Sequence, residues 1–359
     1  MIAAKHLISV GTFAKDPFVI VDIGARGGVD SHWQGLSPDV RLIGFELDSD
    51  ECARLNRIAA PGETFLPVAV AEVDGNRRLY INKFADASGL YQPDKEFWSR
   101  FEPGAFLETT DERDIPVRSL DSVFAEYALS NPDFIKIDAE GAELDILRGA
   151  ANLLPLAKGV SVEIRLHRSS NSPTFFDLHE YLSKAGFSLF DLQLHRYRRK
   201  VLPGFSSSYY HGGHRISGPN QDGQVIWGDA LYMRDYLASL GPQLPSGKPL
   251  GYMVLKTIVL FELLCYSDCS VELALRFRDE LKEICDVDKI LDLLTPSFRG
   301  RRLNYSEYLK VISQNRDPRT ILDVLRPALR DLARSRVRPL VSAKTWQEIK
   351  GLAGRLGLR

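Results

Sequence analysis

The chain has 359 residues, 44% of them hydrophobic, and a formal net charge of −1 at pH 7. It is long enough for one large buried core and a second, smaller one. Four scattered cysteines, Cys52, Cys265, Cys269 and Cys285, exclude a disulfide scaffold and lack metal-ligand spacing, so reduced, mostly buried thiols in a cytoplasmic protein are expected.

The opening residues, MIAAKHLISVGTFAKD, lack the apolar core of a signal peptide. Phe18 to Ile23 is a continuous apolar run between Pro17 and Gly24, the pattern of a parallel strand covered on both faces. A glycine-rich turn follows, and Val29 to Leu36 is predicted helical. Arg41 to Glu46 is a second strand, after which Asp48 or Ser49 caps a helix to about Ala59. Phe65 to Val70 is predicted as a third strand and Arg78 to Asn82 as a shorter one. Residues 84–119 hold no long periodic element but many aromatics, among them Phe84, Tyr91, Phe97, Trp98, Phe101 and Phe106. Such an insert is more often functional than disordered.

Leu120 to Tyr127 reads as a short helix leading into DFIKIDAEGAELDILRGA, Asp133 to Ala150. There a buried strand, Phe134 to Ile137, stops at Asp138 and turns at once into a helix, which puts that acid on the carboxyl edge of a sheet, where open α/β folds bind ligands. Gly159 to Leu166 is another buried strand, about 175–185 a helix, Phe187 to Leu192 strand-like, 195–224 a loop, and Val225 to Met233 a strand. Alternation over this span predicts an α/β body with a twisted, mainly parallel sheet and helices on both faces, residues 1–240. Pro242, Pro245 and Pro249 mark a linker at 241–250. From 251 to 359 only helices are predicted: about 251–266, 270–285, 287–294, 304–314, 319–333 and 343–353. The run Gly251 to Tyr266 is apolar, but Lys256 and Glu262 interrupt it and it is too short for a bilayer.

Chemistry concentrates at the strand ends. In Asp22-Ile-Gly24-Ala-Arg-Gly-Gly28 the glycines admit a ligand close to the backbone and Asp22 suits an ammonium group, while the spacing misses the dinucleotide fingerprint. Glu46 closes the second strand 24 residues after Asp22, where a carboxylate hydrogen-bonds a ribose diol. An adenosine ligand with a zwitterionic tail fits both, as S-adenosylmethionine does.

With VDIGARGG, LIGFELD, LPVAVAEVDG, IPVRSLDSV, the Asp133–Ala150 stretch and VSVEI in order, the chain resembles FkbM-type S-adenosylmethionine-dependent methyltransferases from about Val19 to Glu163, with a weaker echo at Gly228 to Arg234. Arg26 and Gly27 depart from the usual Asn and small apolar residue. The resemblance implies the class I methyltransferase fold, a Rossmann-like seven-stranded sheet whose last strand is antiparallel. It also implies methyl transfer, most often to a hydroxyl of a sugar or secondary metabolite. By the same resemblance Asp22, Gly24 and Gly28 line the methionine end of the cofactor, Glu46 its ribose, Ala69 its adenine, and Asp138 faces both sulfonium and acceptor.

Methyl transfer to an alcohol needs in-line placement and benefits from a base. Asp138, Glu140, Glu163 and His167 are the candidates, with Asp138 placed best by topology and His167 best by its ordinary pKa. The competing readings are a structural Glu163 paired with Arg165 or Lys136, and a surface His167. Glu143 and Asp145 are read as solvated helix residues. The loops 84–119 and 195–215 are expected to cover the acceptor, with Arg196, Arg198 and Arg199 reading an anionic group or lying in solvent. His211-Gly-Gly-His214 lacks partner ligands, so no metal is expected.

Charge is uneven. Arg299 to Arg359 carries 15 Lys or Arg against 5 Asp or Glu, net +10, which leaves −11 on the rest. The alternative reading is therefore a binding module whose basic tail docks peripherally on an anionic membrane or polymer. No nucleic-acid reader is recognisable. A small-molecule or glycan acceptor is the expected partner, and exposed C-terminal helices could pair in a homo-oligomer.

Overall fold

Apolar runs that end on acids become strands that end at one edge of a single sheet. The computed structural model describes residues 1–167, 172–201, 209–211, 214–216, 223–237, 250–298 and 300–314. In chain order the elements to Met233 are α1 (Ala3–Ser9), β1 (Phe18–Ile23), a 3₁₀ helix (Ser31–Leu36), β2 (Val40–Phe45), α2 (Ser49–Ile58), β3 (Glu63–Leu66), β4 (Ala69–Val70), β5 (Gly75–Asn82), α3 (Lys95–Trp98), β6 (Thr109–Arg118), α4 (Leu120–Glu126), β7 (Phe134–Ile137), α5 (Glu143–Arg148), β8 (Gly159–Arg165), α6 (Phe175–Lys184), β9 (Ser188–Tyr197), β10 (Tyr209–His211), β11 (His214–Ile216) and β12 (Gln224–Met233). Seven strands form a sheet in the order β3-β2-β1-β7-β8-β12-β9. Strand β12 runs antiparallel to both neighbours and the other pairings are parallel, the class I methyltransferase topology.

Alternation assigns the faces. Val19, Val21, Ile23, Ile135, Ile137, Val160, Val162 and Ile164 point into a core shared with Leu120, Val123, Ile146, Leu147, Leu178 and Leu182 of α4, α5 and α6. On the opposite face Phe18 meets Phe13 edge-on at 4.8 Å, and Phe134 meets Trp33 at 4.9 Å. Coverage on both sides explains why these strands are apolar throughout. Further along that second face the register aligns Gly44, Asp22, Lys136 and Ser161 in one polar row.

Four sequence expectations change. The predicted strand Phe65–Val70 is two strands in different sheets, divided at Pro67, which has no N–H for a ladder. Residues 84–119 contain the ten-residue β6, which pairs with β4 and β5. Its sequence TTDERDIPVR is almost wholly exposed, so no apolar alternation marks it. Strand β9 continues to Tyr197, into the predicted loop. The glycine-rich turn after β1 leads to a 3₁₀ helix capped by the Asp30 side chain, which accepts from His32 N, rather than to an α-helix.

The described residues divide into two units, one of those within 5–201 and 223–250, and one of those within 1–4, 209–216 and 251–314. The second contains α7 (Leu250–Leu263), α8 (Ser267–Arg276), α9 (Arg278–Leu281), α10 (Val287–Leu294) and α11 (Tyr305–Gln314). Helix α7 is buried on all sides from Met253 to Glu262, as its apolar sequence requires, and the Glu262 carboxylate accepts from Ala3 N and Ala4 N. Among the described residues no helix is long and apolar enough to cross a membrane. Of the cysteines only Cys52 is buried; Cys265 is exposed and Cys269 and Cys285 are half-buried. The predicted helices 319–333 and 343–353, most of the basic tail and the 241–249 linker lie outside the described residues.

Candidate active site

The carboxyl ends of β1, β2, β7 and β8 bring Asp22, Glu46, Asp138 and Glu163 to one edge. Backbone contact holds the edge together. Asp138 N donates to Ile23 O at 2.9 Å, and a Cβ on Gly24, whose φ is +82°, would stand 1.9 Å from Asp138 O. Only glycine lets the β1 and β7 turns approach so closely. From the other side, a Cβ on Gly89 would lie 2.9 Å from Glu140 Cβ and 3.1 Å from Glu140 O. Gly89 itself is fixed by reciprocal hydrogen bonds with Tyr80 of β5. The Asp138-Ala-Glu-Gly141 turn is thus clamped between two glycines, the second of which no sequence motif had singled out.

Asp22 is buried and its Oδ1 lies 3.1 Å from Lys136 Nζ, which is also 3.5 Å from Asp138 Oδ2. The contact to Asp22 is an ion pair without hydrogen-bond alignment. Burial raises the Asp22 pKa although Lys136 opposes the shift; on Lys136 itself burial is outweighed by the two acids, which raise its pKa. The sequence offered Lys136 as a partner for Glu163; the structure pairs it with Asp22 and Asp138 instead.

Glu46 is buried, and burial raises its pKa against the pull of the Asp48 amide and Arg26. Its Oε1 accepts from Asp48 N at 2.7 Å, while the helix is capped by Asp48, whose side chain accepts from Asp50 N and Glu51 N. Oε2 of Glu46 has no hydrogen bond among the described residues. In the first loop Gly27 N donates to Glu51 Oε1 and Gly28 N to Ala25 O, so these two amides are committed within the protein. Arg26 pairs with Asp86 at 2.8 Å and Asp48 at 3.4 Å. Ala69, half-buried, opens β4 three residues past β3.

The carboxylates Asp138, Glu140 and Glu163 offer oxygens within 4.8 Å of one another. Their cation is Arg165, whose NH2 donates to Glu140 Oε2 at 2.8 Å and whose Nε lies 3.8 Å from Glu163 Oε1. Burial, reinforced by Glu140, pushes Glu163 well above the ordinary carboxyl range. Burial also raises Glu140, to about 7; Arg165 opposes that shift, whereas Asp138 and Glu143 add to it.

Two residues read as solvated are buried. Glu143 Oε1 accepts from Ala139 N at 3.0 Å and Gly141 N at 2.9 Å, closing the strand-to-helix turn. Asp145 accepts from Tyr91 OH at 2.9 Å and pairs with Arg77 at 3.5 Å. Helix α5 has only six residues, and packing from β5 and the aromatic insert leaves it no solvent face at these positions.

His167 is 8% exposed, which corrects its surface reading. Its ring stacks on Phe97 at 4.0 Å and meets Trp98 edge-on at 5.3 Å, and neither nitrogen has a hydrogen-bond partner. Burial, helped by Arg165, lowers its pKa to about 4. Trp98 and Phe101 also cluster with Ile226, Tyr197 and Trp227, and His195 stacks on Trp227 at 3.9 Å. The aromatic insert and the end of β9 therefore converge on β12, whereas Phe84 and Phe106 stay exposed. Arg198 is buried, and Arg199 lies 4.2 Å over the Phe101 ring. His211 and His214 face each other across the β10–β11 ribbon, and their side chains lie outside the described residues.

Residues 22–189 match the model of the methyltransferase FkbM domain. The chain is 29% identical over 172 residues to 2-O-methyltransferase NoeI of Sinorhizobium fredii (strain NBRC 101917 / NGR234), covering 44% of this chain and 68% of that protein. Among solved structures, magnesium protoporphyrin IX methyltransferase of Synechocystis PCC 6803 with bound S-adenosylmethionine aligns at a TM-score of 0.29 and 10% identity, over 65% of this chain and 76% of that one. Precorrin-6y C5,15-methyltransferase of Geobacter metallireducens GS-15 aligns at 0.30 and 13%, over 63% and 86%.

Proposed function

From the match of residues 22–189 to the methyltransferase FkbM domain we propose that the chain is an S-adenosylmethionine-dependent methyltransferase that methylates a hydroxyl of a saccharide or similar polyhydroxylated small molecule. When bound, S-adenosylmethionine supplies an electrophilic methyl group, and the protein's residues must bind, orient and deprotonate around it. The observation that carries the hydroxyl reading is the likeness to a 2-O-methyltransferase. It is supported by the carboxylates beside Asp138, since an alcohol, unlike an amine with a free lone pair, must lose its proton during transfer.

The residues present fit the cofactor. Glu46 is a buried acid with one oxygen left to accept from a ribose hydroxyl. Asp22 already faces an ammonium, that of Lys136, and is chemically suited to a second one. Gly27 has open space where a side chain would stand. Gly24 and Gly28 shape the same loop; the proposal puts the adenine by Ala69, which opens β4 beyond β3, and the acceptor by Asp138, the most open of the site acids.

Two measurements test this reading. Calorimetry with S-adenosylhomocysteine should show binding by the wild type and at least tenfold weaker binding by Glu46→Ala; undiminished binding by the variant removes Glu46 from the site. Mass spectrometry of a panel of methyl glycosides incubated with S-adenosylmethionine should show a gain of one methyl group, lost when the reactive hydroxyl is blocked. Methylation of amines alone would overturn the O-methyl reading.

A further inference from the structure

We propose that Glu140, rather than Asp138, Glu163 or His167, is the group that takes the acceptor's proton, held for that task by Arg165 and by the glycine clamp on its turn. The inference rests on the O-methyl reading above and deepens it.

Elimination begins with geometry. Asp138 is open, its side chain 46% exposed, and Lys136 Nζ, 3.5 Å from its Oδ2, makes no hydrogen bond that would orient the carboxylate. Glu143 is committed to two backbone amides. Glu163 is 10% exposed, pinned under Arg165 and Glu140. His167 is sealed between Phe97 and Trp98. Glu140 differs from all four. Its side chain is 25% exposed, Oε2 is fixed by Arg165, and Oε1 has no hydrogen bond among the described residues. One oxygen is thus oriented while the other is available.

The backbone points the same way. Glu140 has φ +53°, the left-handed region that a residue with a side chain enters at a cost. Such strain persists where surrounding contacts over-determine it, and it concentrates at functional turns. Here Gly89 stands where there is no room for a side chain against the Glu140 Cβ and carbonyl, and Arg165 holds the carboxylate.

Basicity then separates the three neighbouring acids. Glu140 faces Asp138 and Glu143 from its own turn and Glu163 and Arg165 from β8, and Tyr197 of β9 lies within electrostatic reach. Glu163, buried deepest of the three and with Glu140 as its strongest unfavourable neighbour, is pushed well above the ordinary carboxyl range. Glu140, at about 7, is poised between its two forms near neutral pH, as an efficient base should be. In the step, the acceptor's O–H proton passes to Glu140 Oε1, the oxygen lone pair forms the bond to the methyl carbon, and the pair of the breaking carbon–sulfur bond stays on sulfur. The proton then leaves Glu140 to solvent through its exposed edge.

The test compares Glu140→Gln, which keeps an oxygen for Arg165, with Asp138→Asn. For the methyl glycoside that the wild type turns over, the rate should rise with pH through about 7. Glu140→Gln should lose about 100-fold and the pH limb, with S-adenosylhomocysteine affinity within about twofold of wild type. Asp138→Asn should be slower yet keep the limb. Persistence of the limb in Glu140→Gln, or its loss only in Asp138→Asn, overturns the assignment. Carbon-13 NMR of protein labelled at the glutamate side-chain carboxyls, saturated with S-adenosylhomocysteine, requires no acceptor, and the Glu140→Gln spectrum is read once circular dichroism shows the variant folded. A wild-type glutamate carboxyl titrating between pH 6 and 8, absent from Glu140→Gln, supports the proposal, and no such carboxyl overturns it. If every glycoside fails while that carboxyl titrates, the acceptor reading falls and the basic character of Glu140 stands.

Discussion

Lys136 Nζ lies 3.1 Å from Asp22 Oδ1, one row below the sheet edge, so that a lysine of β7 neutralises the buried acid of β1. Removing the cation leaves Asp22 buried without a counter-charge, which costs several kcal/mol in a fully buried pair and less here because Lys136 is partly exposed. Lys136→Met should therefore lose about 1–3 kcal/mol at pH 8 by urea denaturation. The sign of the pH effect follows from the raised Asp22 pKa: the folded state favours the neutral acid, so the penalty acts above the folded pKa and fades as pH falls towards 4. A deficit as large at pH 4.5 as at pH 8 would remove Asp22 as its source.

Glu143 accepts both of its backbone hydrogen bonds through Oε1. Glu143→Gln retains such an oxygen and should stay within about 1 kcal/mol of wild type, whereas Glu143→Ala leaves two N–H groups unpaired, at about 2–4 kcal/mol. Equal loss in both variants would show that charge, rather than the turn's amides, is what the position requires.

The two clamp glycines should respond differently to alanine. At Gly24 the new methyl would meet the Asp138 carbonyl at 1.9 Å, which no rotamer relieves, so Gly24→Ala should fail to fold or unfold at least about 10 °C lower. At Gly89 the contacts of 2.9–3.1 Å are with the Glu140 turn, and a shift of a few tenths of an ångström accommodates them. Gly89→Ala should therefore keep its fold by circular dichroism and lose turnover at least tenfold. Unchanged turnover would free Glu140 from any dependence on this contact.

His167 carries the opposite linkage to Asp22. Its folded pKa is depressed to about 4 from the ordinary 6.5, so the unfolded chain binds a proton that the folded one refuses, and stability falls as pH drops from about 6.5 to 4. Over that window the wild type should lose about 2–3 kcal/mol more than His167→Phe, which keeps a ring against Phe97 without the titration. Parallel pH profiles for the two proteins would show that His167 is protonated in place. His167→Phe should also keep the pH limb of methyl transfer.

Much of the scaffold was legible because its signals are local. FVIVDI, RLIGFE, FIKID and GVSVEIR each announce a strand by a largely apolar run, and the acids at or near their ends fall on the edge where the site forms. Asp48 was legible as a helix cap for the same reason: its partners are two and three residues away. Strand β6 was not, since its exposed stretch from Thr110 to Asp114 obeys no apolar alternation. Asp145 was misread because helical periodicity gives a residue's direction but not what covers it; its cover, Arg77 of β5 and Tyr91 of the aromatic insert, comes from more than fifty residues earlier in the chain.

The sequence by itself determined the main-sheet strands, the resemblance to a methyltransferase family and the acids Asp22, Glu46 and Asp138 at the strand ends, because an apolar run that stops on a carboxylate encodes both burial and place. Only the tertiary structure decided what each acid is joined to. Lys136 binds Asp22 from the next strand, Arg165 orients Glu140 from 25 residues away, Gly24 and Gly89 pin the turn from opposite sides, and the aromatics at 97–98 seal His167. Ion pairing, steric closeness and desolvation depend on distance in space, and they separate one basic carboxylate from its neighbours in a chain that offers many of the same type.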